Sequence, residues 1–241
     1  MAAVTLLQAR GLTRHYGGLQ AIDNVDFDLA AGEIHALIGP NGAGKTTFVG
    51  LLCGRVAAQS GTTHFAGKDI TRLSPQARAR CGIAYTFQIT SIYARLSVFD
   101  NVALAVQQTG PSDLRRSTLA ALDRVGLADR ASQVSGTLAY GHQRLLEIAM
   151  GLALQPRLLI LDEPTQGLAN SEIDVFKTLI QSLVPEKTVL LIEHNMAVVM
   201  ELANRITVLN YGRVLAQGSP ADIRANAAVQ AAYLGADHAA H

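Results

Sequence analysis

No run of lysine and arginine stands out anywhere in the 241 residues, and the formal charges nearly cancel, with Lys+Arg 20 against Asp+Glu 19 for a net +1. The electrostatic footprint of a nucleic-acid binder is therefore missing, and no nucleic acid is expected as a partner. Cysteine is almost absent. Cys53 and Cys81 are far apart and match no metal or redox spacing, which suits a reducing compartment and leaves both as packing residues. No run of about 18 apolar residues is available to cross a bilayer, and the first residues lack the charged start and apolar core of a secretory leader. A soluble or peripheral protein is expected. Charged residues are few, 16% against 49% hydrophobic, which allows either a sizeable interface or simply an alanine-rich chain. Long linkers, internal repeats and low-complexity segments are missing too, and the tail histidines His238 and His241 are too few and too loosely placed for a metal site. The length suffices for one large α/β domain or for a core with a smaller appended lobe.

Against these absences one stretch is complete. Gly39-Pro40-Asn41-Gly42-Ala43-Gly44-Lys45-Thr46-Thr47 fits the phosphate-binding loop pattern G-x-x-x-x-G-K-[ST]. A buried strand is predicted over 34–38 before it and a helix over 45–53 after it, stopped by Gly54, so the strand, loop and helix context is present. Glycines let successive backbone N–H groups turn toward phosphates, and the helix N-terminus adds roughly half a positive charge where the anion sits. Lys45 then reaches the β- and γ-phosphates, and the Thr46 hydroxyl meets Mg²⁺, a cation held by oxygen ligands and substrate phosphates. The implied ligand is a nucleoside triphosphate.

Apolar runs and turn signals predict further strands over 4–9 and 21–29, joined by a loop holding Arg14, His15, Tyr16, Gly17 and Gly18. A small strand pair is expected over 62–65 and 69–71, turned at Ala66-Gly67-Lys68, then a strand over 82–88 that ends in Gln88. From about residue 96 to 150 the period becomes helical, over 98–107, 112–125 and 140–154, with no strand between. This predicts a helical lobe, residues 89–155, inserted into a nucleotide-binding core of residues 1–88 and 156–241. After Pro156, residues 158–161 and 189–192 read as strands buried on both faces. An amphipathic helix over 171–183, opened by a capping box of Ser171 and Asp174, lies between them. Residues 206–209 pair with 214–217 across Asn210-Tyr211-Gly212-Arg213, and a last helix runs over 221–233 before a frayed tail from 235 to 241.

Polar residues gather just past the ends of apolar strands, where open α/β sheets place ligands. Asp162 fits the carboxylate that holds Mg²⁺ in phosphate-loop NTPases. Its neighbour Glu163, on an extended backbone, points differently and can accept a proton from the attacking water. His194 can bond the γ-phosphate and orient Glu163 or the water, or be a satisfied polar residue at a strand end. Gln88 can contact the metal and the water, or cap a turn. Tyr16 can stack on adenine, or be a half-buried loop tyrosine.

The helix entry Leu138-Ala139-Tyr140-Gly141-His142-Gln143-Arg144 resembles the signature segment of ATP-binding cassette (ABC) ATPases, and the resemblance covers nearly the whole chain. It implies an α/β fold: a P-loop NTPase (RecA-like) core with an N-terminal antiparallel β subdomain and an inserted α-helical subdomain. It further implies that Tyr16 stacks on adenine, Gln88 forms the Q-loop, Asp162 and Glu163 the second nucleotide motif, and His194 the switch histidine. Thr46, Gln88 and Asp162 would then serve Mg²⁺, and Leu138, Ala139, Tyr140, Gly141 and His142 would meet ATP across a cassette dimer. Two departures stand out. Ala139 replaces the usual serine, removing a hydroxyl that commonly contacts the γ-phosphate, and Gly167-Leu168-Ala169 lacks the usual aspartate of the D-loop.

The longer run from Leu138 to Ala149 looks like the variant found in one of the two ATPase subunits of branched-chain (hydrophobic) amino acid importers. Ala232-Tyr233-Leu234-Gly235 and Leu191-Ile192-Glu193-His194-Asn195-Met196 resemble that family as well. The resemblance implies an ATP-hydrolysing importer subunit for branched-chain or other hydrophobic amino acids or related small solutes. Its implied partners are a second ABC ATPase in a heterodimer, two membrane permeases and a periplasmic or extracellular solute-binding protein. Its implied place is the cytoplasmic face of the bacterial inner membrane. Relatives for urea, short amides or aromatic acids share most of the pattern. An exporter ATPase for lipid or drug, and a soluble ABC ATPase without a membrane partner, stay open as alternatives; a small-molecule kinase would need neither the signature helix nor His194.

Overall fold

The computed structural model describes residues 4–86, 91–110 and 112–237. Strands β1 (Thr5–Tyr16) and β2 (Leu19–Ala30) form a long hairpin closed at Gly17-Gly18, with Tyr16 opposite Leu19. Residues 14–16, expected in a loop, are thus the end of β1, where Arg14 pairs with Ile22 and His15 with Gln20. Register shifts between Ala9 and Leu12, and again between Leu12 and Arg14, break the alternation by which a strand is read from sequence. Strand β3 (Ile34–Ile38) is buried along its whole length and runs into the phosphate loop and helix α1 (Lys45–Cys53), which Gly54 ends at φ 74°.

Next come β4 (Ser60–Phe65), β5 (Lys68–Asp69), α2 (Pro75–Arg80) and β6 (Ile83–Thr86). Helix α2 is too short to be legible as periodicity. Its start is nevertheless well marked, since the Ser74 hydroxyl accepts the Ala77 N–H at 3.3 Å and Pro75 takes the first helical position. Gln88 lies outside the described residues. Three helices follow with no named strand among the described residues: α3 (Val98–Val106), α4 (Leu114–Arg124) and α5 (Tyr140–Ala153).

The rest of the chain alternates, with β7 (Leu158–Asp162), α6 (Asn170–Leu183), β8 (Thr188–Ile192), α7 (Met196–Leu202), β9 (Arg205–Asn210) and β10 (Arg213–Gly218), then α8 (Pro220–Ala225) and α9 (Ala227–Asp237). Two expectations change here. Helix α6 starts after Ala169, not at a Ser171 cap, and the Glu172 carboxylate accepts the Ala169 N–H at 2.9 Å, half of a capping box that an alanine cannot complete. The single C-terminal helix is two, broken at Asn226, whose side chain accepts the Val229 N–H at 3.1 Å and so starts the second.

The strands make two sheets. One is antiparallel in the order β2-β1-β4-β5; the other runs β10-β9-β3-β8-β7-β6, parallel throughout except for β10. Alternation along the central strands divides the interior. Leu159, Leu161, Val189 and Leu191 face the cluster built with α3, α4, α5 and α6, whereas Leu158, Ile160, Leu190 and Ile192 face the cluster shared with α1 and the antiparallel sheet. Burial on both faces is why 158–161 of β7 and 189–192 of β8 read as unbroken apolar runs, while β3 is interrupted only by the buried His35.

Candidate active site

The three central strands end together. Leu37 of β3 and Asp162 of β7 both pair with Ile192 of β8, so the phosphate loop, the loop after β7 and the loop after β8 leave the sheet at one edge. The phosphate loop is held there by close backbone approach. A Cβ on Gly39 would lie 2.2 Å from the Leu209 carbonyl oxygen, and one on Gly44 would lie 2.2 Å from that of Ala21. Gly44 also has φ 100°, a conformation other residues rarely adopt.

Helix α1 opens with no side-chain cap, whereas α2, α3, α4, α7 and α8 are capped by Ser74, Ser97, Asp113, Asn195 and Ser219. Its first-turn N–H groups have no acceptor within the helix, which suits an anion. Lys45 is buried, and its ammonium donates to the Gly39 and Pro40 carbonyls at 2.6 and 3.1 Å. Burial pulls its pKa below the ordinary value, while the Glu163 and Asp162 carboxylates act in the opposite sense. Thr46 is exposed at the mouth of the loop.

Asp162 is buried at the end of β7 and accepts the Tyr85 hydroxyl at 2.7 Å. Burial raises its carboxyl above the usual range, opposed chiefly by that hydrogen bond. Tyr85 had no signal in the sequence, because a tyrosine in an apolar strand reads as core. Glu163 corrects an expectation. Its backbone is left-handed, at φ 49°, not extended. Its N–H completes the ladder by donating to the Ile192 carbonyl at 2.9 Å, and the chain then turns away at Pro164. That turn aims the carboxylate at His194, whose Nε2 lies 2.5 Å from Glu163 Oε1. The imidazole is the more open of the two, 42% exposed against 14%.

Tyr16, residues 41–47 of the phosphate loop, Glu163 and His194 line one cleft of about 380 Å³, a size that suits a small ligand. Tyr16 stands at its mouth, with the Arg14 guanidinium 4.6 Å from the ring centroid. The structure does not bring Leu138, Ala139, Tyr140, Gly141 or His142 into this cleft. Those residues open α5, which like α1 has no side-chain cap, with Ala139 at the capping position. Gly141 packs so tightly on Glu172 of α6 that a Cβ would lie 2.2 Å from the carboxylate. Among the described residues no cluster of three His, Cys, Asp or Glu side chains could cage a metal, and no helix is long and apolar enough to cross a membrane. Thr46 and Asp162 supply hard oxygens, the donors Mg²⁺ takes when phosphates complete its shell.

Sequence reasoning also passed over Glu193. The only sign was an acid at the end of an otherwise apolar strand, and it is buried, bonded on one side to Thr165 and on the other to the backbone of His194 and Asn195.

Comparison with known proteins gives a consistent picture. Residues 22–166, more than half of the chain, match the family profile described as ABC transporter, and residues 213–239 match the one described as branched-chain amino acid ATP-binding cassette transporter. The chain is 40% identical over 249 residues to the high-affinity branched-chain amino acid transport ATP-binding protein LivG of Salmonella typhimurium and to that of Escherichia coli, covering 95% of this chain and 98% of each relative. BraF of Pseudomonas aeruginosa, described in the same words, is 38% identical over 95% of this chain and 98% of its own. Among solved structures, cbiO1 from Clostridium perfringens, part of the ABC transporter complex cbiONQ, superposes with a TM-score of 0.85 at 26% identity, covering 96% of this chain and 99% of that one. An ATP-binding cassette of an ABC transporter in its ADP conformation gives a TM-score of 0.87 at 24% identity, again over 96% and 99%, a likeness of fold.

Proposed function

The chain belongs to the ABC transporter ATP-binding family, and on that premise we propose that it is the ATP-hydrolysing subunit of an importer for branched-chain or other hydrophobic amino acids. The observation that carries the ATPase reading is the single cleft that gathers Tyr16, the phosphate loop, Glu163 and His194. The likeness to LivG and BraF over nearly the whole length supports the transport reading. In this reading the base stacks on the Tyr16 face opposite Arg14. The uncapped N–H groups of α1 and the Lys45 ammonium hold the phosphates, as preformed positive potential. Mg²⁺, taken up with the nucleotide by Thr46 and Asp162 and served by Gln88, would neutralise charge on the phosphates. Glu163 accepts the proton of the water that attacks the γ-phosphorus, and ADP leaves. His194 holds the Glu163 carboxylate in place through the bond at 2.5 Å.

Because the signature residues lie outside the cleft, each site is completed by a second cassette, whose signature helix closes over the γ-phosphate and excludes water. The partners are a different ABC ATPase, two permeases and an external solute-binding protein, with this subunit bound peripherally at the cytoplasmic face. Residues 89–155 act as the helical lobe that passes nucleotide state to the permeases, and 1–88 with 156–241 as the catalytic core. Uptake of radiolabelled leucine, isoleucine and valine by cells that lack this chain tests the proposal, with Lys45→Ala as the control. Uptake should fall in the deletion and not be restored by that variant. Undiminished uptake of all three would overturn the branched-chain reading.

A further inference from the structure

Glu193 directly follows strand β8 and its carboxylate is only 3% exposed. Its Oε1 accepts the Thr165 backbone N–H at 2.9 Å and the Thr165 hydroxyl at 2.5 Å. Its Oε2 accepts the N–H of His194 at 3.0 Å and that of Asn195 at 3.2 Å. These donors match the acceptor capacity of an ionised carboxylate, about four lone-pair sites. They also belong to different loops. Thr165 lies two residues past Glu163, and its carbonyl accepts the Leu168 N–H at 3.2 Å, so it anchors the whole turn between β7 and α6. His194 and Asn195 begin the loop after β8, where the Asn195 side chain caps α7 through the N–H groups of Ala197 and Val198.

We propose that Glu193 is a positioning residue for ATP hydrolysis, locking the loop that carries Glu163 to the loop that carries His194. The base and its imidazole partner then face each other from one rigid unit. This inference rests on the reading of Glu163 and His194 given above. Such a role needs the carboxylate and not merely its shape. A glutamine keeps one acceptor oxygen but turns an NH₂ group toward N–H donors, so it can hold one loop and must repel the other. Aspartate, one methylene shorter, cannot span both. The hydrogen bonds of Glu193 go to Thr165, His194 and Asn195 and not to the phosphate loop or Tyr16, so its loss should act on turnover more than on nucleotide affinity.

The test is ATP turnover by the complex isolated from native membranes through a tag on this chain, in wild type, Glu163→Gln, Glu193→Gln and Thr165→Val. Glu193→Gln should lower kcat about 10-fold or more with the KM for ATP changed by less than about twofold. Thr165→Val, which deletes one of the donors and keeps the side-chain shape, should give a smaller loss of the same kind. In a Glu163→Gln background Glu193→Gln should add little, since both act on one step. A folded Glu193→Gln complex with wild-type kcat overturns the proposal, as does a full additional loss in the Glu163→Gln background. If Glu193→Gln fails to assemble, Thr165→Val decides, and wild-type kcat in that variant overturns it. Wild-type turnover in Glu163→Gln would instead remove the catalytic reading beneath, an outcome distinct from failure of Glu193 alone.

Discussion

The His194 imidazole and the Glu163 carboxylate meet at 2.5 Å, although their strands are separate and 31 positions divide them in sequence. Glu163 reaches this position only because its backbone is left-handed, at φ 49°. A non-glycine residue held there costs of order 1–3 kcal/mol and persists where surrounding structure imposes it.

Replacement of Glu163 by glutamine should therefore leave ATP binding intact and reduce turnover by about 10²-fold or more. His194→Ala, which keeps the base but removes its partner, should cost about 10-fold or more in kcat. Steady-state hydrolysis by the purified complex and binding of a fluorescent ATP analogue separate the two effects. Wild-type turnover in Glu163→Gln would take Glu163 out of the role.

The glycines of the phosphate loop differ in what they do. Gly42→Ala meets no atom within 4 Å and is strained only by its φ of 78°, whereas Gly44→Ala, at φ 100°, also drives a methyl to 2.2 Å from the Ala21 carbonyl oxygen. Gly42→Ala should cost about 1–2 kcal/mol, and Gly44→Ala should cost more and displace the loop enough to abolish ATP binding. Urea denaturation with nucleotide titration would show it, and equal behaviour of the two variants would contradict it.

His35 sets a pH dependence of stability. It is fully buried on β3, bonded to Glu33 at 3.1 Å and to the Thr207 hydroxyl at 2.8 Å, and burial lowers its pKa below 6.5. The unfolded chain then binds a proton that the folded chain does not. Stability is fully present above 6.5 and is lost as pH falls from there toward the folded value. Glu33, whose carboxyl is held below 4.5 through its hydrogen bond to His35 despite burial, acts in the same sense at lower pH. His35→Gln should flatten the slope of unfolding free energy between about pH 7 and 5. An unchanged slope would show that His35 does not govern it.

Ala139 caps the signature helix without a hydroxyl. The ATP site completed by this signature should be the weaker of the two in a complex whose partner has an ordinary serine there. Inactivating each site separately should then give unequal losses of transport, and equal losses would count against the idea.

Much of the fold and the site is legible in the sequence. Strands buried on both faces announce themselves as apolar runs, and the polar residues that end those runs, Asp162, Glu163 and His194, are thereby placed at strand ends by pattern alone. The phosphate loop carries its own spacing. What stays hidden has physical causes. Tyr16 sits in a strand whose bulges erase alternation, and α2 and α7 are too short to show a period. The left-handed turn at Glu163 follows from the end of the β7 and β8 ladder, which is long-range. Tyr85 and Glu193 act through partners 77 and 28 residues away, and no local pattern encodes such contacts.

The most direct test of the account is to isolate the complex from native membranes through a tag on this chain and identify its other subunits by mass spectrometry. Recovery of a second, different ABC ATPase with two permeases is the predicted result. Recovery of this chain with no membrane protein would contradict the transport reading and leave a lone ATPase.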